Sequence, residues 1–253
     1  MARLNRDGVG IHYEVHGAGP PLLLSHGFGA TSRMWDGQIA ALRDRYTVIV
    51  WDMRGHGESD YPSDQEAYSE AHAVGDMHAI LCACGAERAI VAGLSLGGHF
   101  SLSFHCAHPE MVRALMLFDT GPGYRRDDAR EIWNARARAR AERLDREGLA
   151  ALGTSDEVRM SRHRDATGLA RAARGMLTQP DDHVIRSLET ISVPTLVLVG
   201  AEDKNFLAAT DYMATKIPDA RKVIIPGAGH AANLHQPEAF NRAMMEFLAG
   251  IPA

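Results

Sequence analysis

The chain of 253 residues holds only three cysteines, Cys82, Cys84 and Cys106. So sparse and odd a set excludes a disulfide framework, and the spacing CAC matches neither a redox CxxC nor a zinc-binding pattern. Inert core thiols are the expectation. No apolar run approaches the roughly 20 residues that a membrane span needs. The opening MARLNRDGVG has no apolar segment of the secretory kind, so the expected chain begins here and stays in the cytoplasm. Thirteen histidines are present, but none stands in HExxH or in a His/Cys cluster at ligand spacing, and no metal site is expected. An excess of positive charge is also missing: 27 Lys and Arg face 32 Asp and Glu, a net charge of -5. That balance removes nucleic acid from the expected partners, because nonspecific binding to phosphates needs a basic surface.

What the chain does have is a globular composition, with 45% hydrophobic and 23% charged residues, and a repeating pattern. Two short extended runs flank the turn signal Arg6-Asp7-Gly8, as in a hairpin. Apolar runs of strand length then recur at 21–25, 46–52, 88–94, 113–119, 194–200 and 221–227. Their Val, Ile and Leu are nearly continuous, which predicts parallel strands covered on both faces. Helical stripes lie between them, among them Met34, Trp35, Ile39 and Leu42, and later Phe240, Met244, Phe247 and Leu248. Strand and helix in alternation give an α/β fold, a mostly parallel open sheet with helices on both faces and ligands beyond the carboxyl ends of the strands.

One segment breaks this rhythm. Residues 122–187 contain no strand-like run and are rich in Ala and Arg, with Trp133, Ala137, Ala141 and Leu144 on one helical face. They read as a helical insertion, a cap of 122–187 within a core made of 1–121 and 188–253. The insertion has 14 Arg against 11 Asp and Glu, or +3, which leaves -8 for the remainder of the net -5; solvated helix faces account for most such counts.

The chemistry centres on GLSLGGH, where Gly93-Leu94-Ser95-Leu96-Gly97 follows a buried strand and opens a helix near Leu96. A serine held in that sharp turn needs small residues two before and two after it, so that strand and helix can pack closely. A lone serine is a poor nucleophile and requires a base and an orienting acid. Asp203 stands just past the run LVLVG and His230 just past KVIIP, so Ser95, Asp203 and His230 follow one another at successive strand ends. Asp119 closes the strand after the nucleophile and is the alternative acid, with a strand-end cap as its other role. His26, His56 and His99 read as structural. The two expected oxyanion donors are the backbone N–H groups of Leu96, which follows the nucleophile, and of Phe28, in the glycine loop HGFGA. Trp133, Met160 and Met176 could line a pocket or fill the core of the cap.

HGFG at 26, DMRGHGES at 52, GLSLGG at 93, the acid at 203 and GAGH ending at His230 together resemble the α/β-hydrolase superfamily, over nearly the whole chain except the cap. The resemblance implies an eight-stranded, mostly parallel sheet, a helical cap inserted after the strand that ends at Asp119, and no cofactor. It places DMRGHGES near the site as a packing loop, which makes Asp52 and Arg54 structural. A serine nucleophile turns the reading away from dehalogenases and epoxide hydrolases, and the motif set looks most like 3-oxoadipate enol-lactonases and small carboxylesterases. The expected function is therefore a serine hydrolase of carboxylic esters or lactones acting on a small-molecule substrate, with activity rising as His230 loses its proton. A C–C bond hydrolase, a perhydrolase of the same fold, or a small-molecule receptor with slow hydrolysis are the alternatives. HGFGA lacks the GPG extension of the C–C hydrolases, and GLSLGGH lacks the GGGE of many perhydrolases.

Overall fold

A computed structural model of the chain describes residues 2–251. In chain order the strands are β1 (Ala2–Arg6), β2 (Val9–His16), β3 (Pro21–Ser25), β4 (Thr47–Trp51), β5 (Ala89–Leu94), β6 (Val112–Phe118), β7 (Thr195–Gly200) and β8 (Ala220–Ile225). The helices are α1 (Asp36–Leu42), α2 (Glu70–Ala83), α3 (Leu96–Ala107), α4 (Asp127–Glu147), α5 (Asp156–Met160), α6 (Ala166–Gly175), α7 (His183–Ser187), α8 (Leu207–Lys216), α9 (Ala232–His235) and α10 (Pro237–Leu248). The strands form one eight-stranded sheet in the order β1-β2-β4-β3-β5-β6-β7-β8. Only β2 runs against its neighbours β1 and β4; the other pairs are parallel. The hairpin joining β1 to β2 turns at Asp7 and Gly8, both with positive φ, +55° and +81°. That pair of backbone angles matches the natural twist of two antiparallel strands.

Every residue of β5 and β7 is buried, and the period of two along each strand feeds two separate cores. Leu22 and Leu24 of β3, Val48 and Val50 of β4 and Ile90 and Ala92 of β5 point to one face, where Met34, Trp35 and Leu42 meet Phe240 and Met244 of α10. Leu23, Ile49 and Val91 point to the other, against Met77 and Ile80 of α2, Phe100 and Phe104 of α3 and Met213 of α8. Burying each such side chain contributes about 1.5–3 kcal/mol, so a double-faced sheet gathers its stability from both layers at once.

Two expectations need correction. The run at 221–227 forms β8, but β8 is the sheet edge, and Ile224 there is 43% exposed. An edge strand lacks a second neighbour, so an apolar run alone did not settle its burial. The cysteines are not core thiols either: Cys82 is exposed, and Cys84 and Cys106 are half-buried near helix ends.

Between β6 and β7 the described residues contain only helices and loops. Ala141 and Leu144 of α4 pack on Leu169, Ala170 and Ala173 of α6, a small core whose alanines let the helix axes approach closely. Asp127 and Asp128 open α4 and Arg146 closes it, complementing the helix dipole. Phe28 and Leu152 pack against this same small core, so the helices rest on the loop that follows β3. Among the described residues no helix is long and apolar enough to cross a membrane.

Candidate active site

Ser95 sits between β5 and α3 with φ +55° and ψ -116°. For a residue with a side chain this lies outside the ordinary left-handed region and is strained. Three hydrogen bonds hold it there. The Ser95 N–H donates to Phe118 O at 2.9 Å, its carbonyl accepts from His99 N–H at 3.0 Å, and the same carbonyl accepts from Thr120 Oγ1 at 2.6 Å. The glycines around it leave no room for anything larger. A Cβ on Gly93 would lie 2.2 Å from the Gly97 carbonyl carbon, and one on Gly97 would lie 2.2 Å from Ser25 O.

On the other side of the site, the chain emerges from β7 into a tight turn that carries Asp203, and from β8 into the loop that carries His230. His230 Nδ1 donates to Asp203 Oδ2 at 2.6 Å, and Asp203 is almost fully buried. Burial alone would lower the His230 pKa. The bond to Asp203, with the charges of Asp203 and Asp119, outweighs it and holds the imidazole above its ordinary value. Phe206 stacks on the ring, 5.1 Å between centroids at 21°. Phe206 and Ser95 in turn line the same cavity. Ser95 Oγ has no hydrogen-bond partner among the described residues, and a nucleophile-to-base bond that tightens only when substrate is bound is common in ligand-free sites.

Asp119, the other candidate acid, points elsewhere. Its Oδ1 accepts from the Gly200 N–H at 2.8 Å, and its Oδ2 is buried without a partner. Burial pushes this carboxyl up to about 7, against the downward pull of the Gly200 bond and His230. Its φ of +45° is a further local strain.

The loop after β3 passes close to Ser95, since a Cβ on Gly27 would stand 3.4 Å from Ser95 Cβ. The turn is closed by Ala30 N–H donating to Gly27 O at 3.1 Å, with Gly29 at φ +76°. Neither the Phe28 nor the Leu96 N–H donates to another described residue. Leu96 is the first residue of α3, whose leading N–H groups have no partner inside the helix. The guanidinium of Arg140, from α4, stands 4.9 Å over the Phe28 ring.

Behind this loop the histidines are structural. His26 Nδ1 donates to Gly27 O at 2.7 Å and its Nε2 accepts from Met53 N–H at 3.0 Å, so the ring is held neutral between two backbone groups. Burial lowers its pKa to about 4. His56 is likewise buried, and its pKa falls well below the ordinary value for the same reason. Asp52 accepts from Ser32 N–H at 2.7 Å and Glu58 N–H at 2.9 Å, and Arg54 forks onto Asp76 at 2.7 and 2.8 Å. These contacts fix the loop without reaching the cavity. His163, absent from the sequence reading, ties the helical segment to it: Nε2 donates to Gly29 O at 3.0 Å and Nδ1 accepts from Gly57 N–H at 3.2 Å.

A strained serine in the turn between β5 and α3, an aspartate and a histidine bonded past β7 and β8, and a model of the alpha/beta hydrolase family that matches residues 22–243 agree on the family. The chain belongs to the alpha/beta hydrolase family. A protein of Bacillus subtilis provisionally named 2-succinyl-6-hydroxy-2,4-cyclohexadiene-1-carboxylate synthase is 30% identical, covering 96% of each chain. The 3-oxoadipate enol-lactonase 1 of Acinetobacter baylyi is 28% identical over 98% of this chain and 96% of its own. A solved structure of a thermophilic esterase from Thermogutta terrifontis superposes with a TM-score of 0.85 at 28% identity, covering both chains completely. A hydrolase function follows from this membership.

Beside Ser95 the hydrolase has a cavity of about 320 Å³, within the range that small-molecule sites occupy. Its walls come from distant segments. Trp133 lines it, whereas Met176 is buried away from it and Met160 is 37% exposed. Most of its other residues do not stand out as site residues in the sequence, among them His99, Phe206 and Gln179. His99 was read as structural and does bond to Gly121 O and Glu70, but it also faces the cavity. Phe206 could have been found from its place three residues after Asp203. Gln179 carries no sequence signal at all.

Proposed function

We propose that the chain is a serine hydrolase that cleaves carboxylic esters or lactones through an acyl-enzyme. The strained Ser95, held by three hydrogen bonds at the end of β5 and lining the cavity, carries this reading: a serine is kept in such a conformation when its presentation to a ligand offsets the strain. Ser95 Oγ attacks the substrate carbonyl while His230 Nε2 takes its proton. Asp203 holds the ring through Nδ1 and stabilises the imidazolium that forms. The unoccupied Phe28 and Leu96 N–H groups receive the oxyanion, each worth about 3 kcal/mol in the transition state. His230 then returns the proton to the leaving alcohol, and water repeats the sequence on the acyl-enzyme to release the acid. The helices of 122–187 act in this reading as a cap that closes the cavity.

The test is covalent labelling with a fluorophosphonate, followed by turnover of p-nitrophenyl acetate and butyrate. Wild type labels at Ser95 and turns over many times; Ser95→Ala does neither. Full turnover by Ser95→Ala would overturn the assignment.

A further inference from the structure

The walls of the cavity state what kind of molecule it accepts. Its surface is mostly apolar, with Leu96, Pro122, Trp133, Leu177, Ile185 and Phe206 among the lining residues, and none of those residues is Lys, Arg, Asp or Glu. A charged group lodged there would lose its hydration without gaining a counter-ion, so the cavity selects an uncharged one.

Among the polar side chains that also line the cavity, such as Thr120, Tyr124, Asn205 and Tyr212, Gln179 stands apart. It is only 8% exposed, its Oε1 is buried with no partner, and the whole carboxamide is free of hydrogen bonds among the described residues. Its backbone, by contrast, is fixed on both sides. The Gln179 N–H donates to Asn134 Oδ1 at 2.8 Å and its carbonyl accepts from Asn134 Nδ2 at 2.9 Å. The neighbouring Trp133 Nε1 donates to Leu177 O at 2.8 Å. Three bonds thus stitch the backbone of residues 177–179 to α4 and fix the point from which the Gln179 side chain reaches the cavity wall. A buried amide without a partner is unfavourable, and such groups in native proteins usually have a reason for being left open. His99, also on this wall, already has both nitrogens engaged, with Gly121 O at 3.3 Å and Glu70 Oε2 at 3.2 Å.

We infer that Gln179 is a specificity residue: the cavity takes the uncharged, largely apolar part of an ester or lactone that ends in a hydroxyl or amide group, and the Gln179 carboxamide bonds that group. The inference rests on the reading of Ser95 as the nucleophile beside this cavity. It adds which molecules that nucleophile meets.

The test uses p-nitrophenyl esters of three matched acids, p-hydroxyphenylpropanoate, p-methylphenylpropanoate and p-carboxyphenylpropanoate, with wild type, Gln179→Leu and the linear isostere Gln179→Met. Wild type prefers the hydroxyl ester to the methyl ester by about tenfold in kcat/KM, the size of one buried neutral hydrogen bond. Both variants reduce that preference to within about twofold, through a larger loss on the hydroxyl ester than on the methyl ester. The carboxyl ester is the poorest throughout. Melting temperatures of the variants stay level or rise, because the side chain removed had no partner. A purely structural Gln179 would instead lower the melting temperature and both esters together. An unchanged preference, or a preference for the carboxyl ester, would also overturn the inference. Affinity of p-hydroxyphenylpropanol for the Ser95→Ala protein, with and without Gln179→Leu, separates the two claims, since it reads Gln179 without any turnover. A tenfold loss on Gln179→Leu is expected; no loss refutes the role of Gln179 whatever becomes of the hydrolase reading.

Discussion

Ser95→Gly should give a more stable protein than Ser95→Ala. Both variants remove the hydroxyl and hence the proposed chemistry, so they differ only in whether residue 95 keeps a Cβ. At φ +55° and ψ -116° a Cβ is strained, by roughly 1–3 kcal/mol for a residue held in a sparsely populated region. Glycine adopts these angles freely. It also loosens the unfolded chain, which costs about 0.4–1 kcal/mol of stability. The difference leaves glycine ahead by about 1 kcal/mol. For a chain of this size each kcal/mol moves the melting temperature by roughly 2–4 °C. Paired calorimetric melts at pH 7.5 read the comparison directly. The surrounding bonds, from Ser95 N–H to Phe118 O and to the Ser95 carbonyl from His99 and Thr120, use backbone atoms that both variants retain. If Ser95→Gly melts at or below Ser95→Ala, the elbow stores no strain and the argument that function maintains it loses its basis.

Acid should loosen the fold through His26. Its folded pKa of about 4 lies below the unfolded 6.5, so its contribution of about 3 kcal/mol is complete above pH 6.5 and is lost as pH falls from 6.5 through 4; melts across that range measure it, and a flat profile would contradict the buried neutral ring. Turnover should climb with pH along a limb centred above 6.5, because the pKa of His230 is raised and only its neutral form accepts a proton. A limb centred below 6 in the pH profile of kcat/KM is the contrary result. Asp119→Asn should move that limb downward, since the charge at Asp119 helps to raise His230; an unmoved limb would separate the two groups. Gly97→Ala should destabilise by several kcal/mol, because its Cβ meets backbone atoms of Ser25 and His26 at 2.2–2.6 Å, and wild-type melting of this variant would show that the elbow can open.

The sequence made the parallel strands legible because burial on both faces writes itself as unbroken Val, Ile and Leu, as in β5 and β7. It could not distinguish β8 from them, since edge position is decided by which strands pair and not by composition. Ser95, Asp203 and His230 were legible by their places at strand ends, where glycine and polar residues interrupt apolar runs. The Asp203–His230 bond is a tertiary contact that such places allow but do not require. The cavity was hidden for a different reason. Its wall joins His99, Trp133, Gln179 and Phe206, residues far apart in the chain whose types alone announce nothing. Gln179 becomes informative only when its lack of a partner can be seen.

The pairing of β6 with β7 has a consequence for how the protein reaches its native state. The chain leaves the sheet at Phe118 and rejoins it at Thr195, on the adjacent strand, with Leu115 opposite Thr195 and Phe118 opposite Leu198. Closing so long an excursion is entropically costly before any contact rewards it, and parallel pairings of this kind form slowly. Ser95 lies on the β5 side of that seam, whereas Asp203 and His230 lie beyond it. In refolding, helical signal should therefore recover ahead of enzymatic activity, with the two halves of the site meeting only when the seam zips shut.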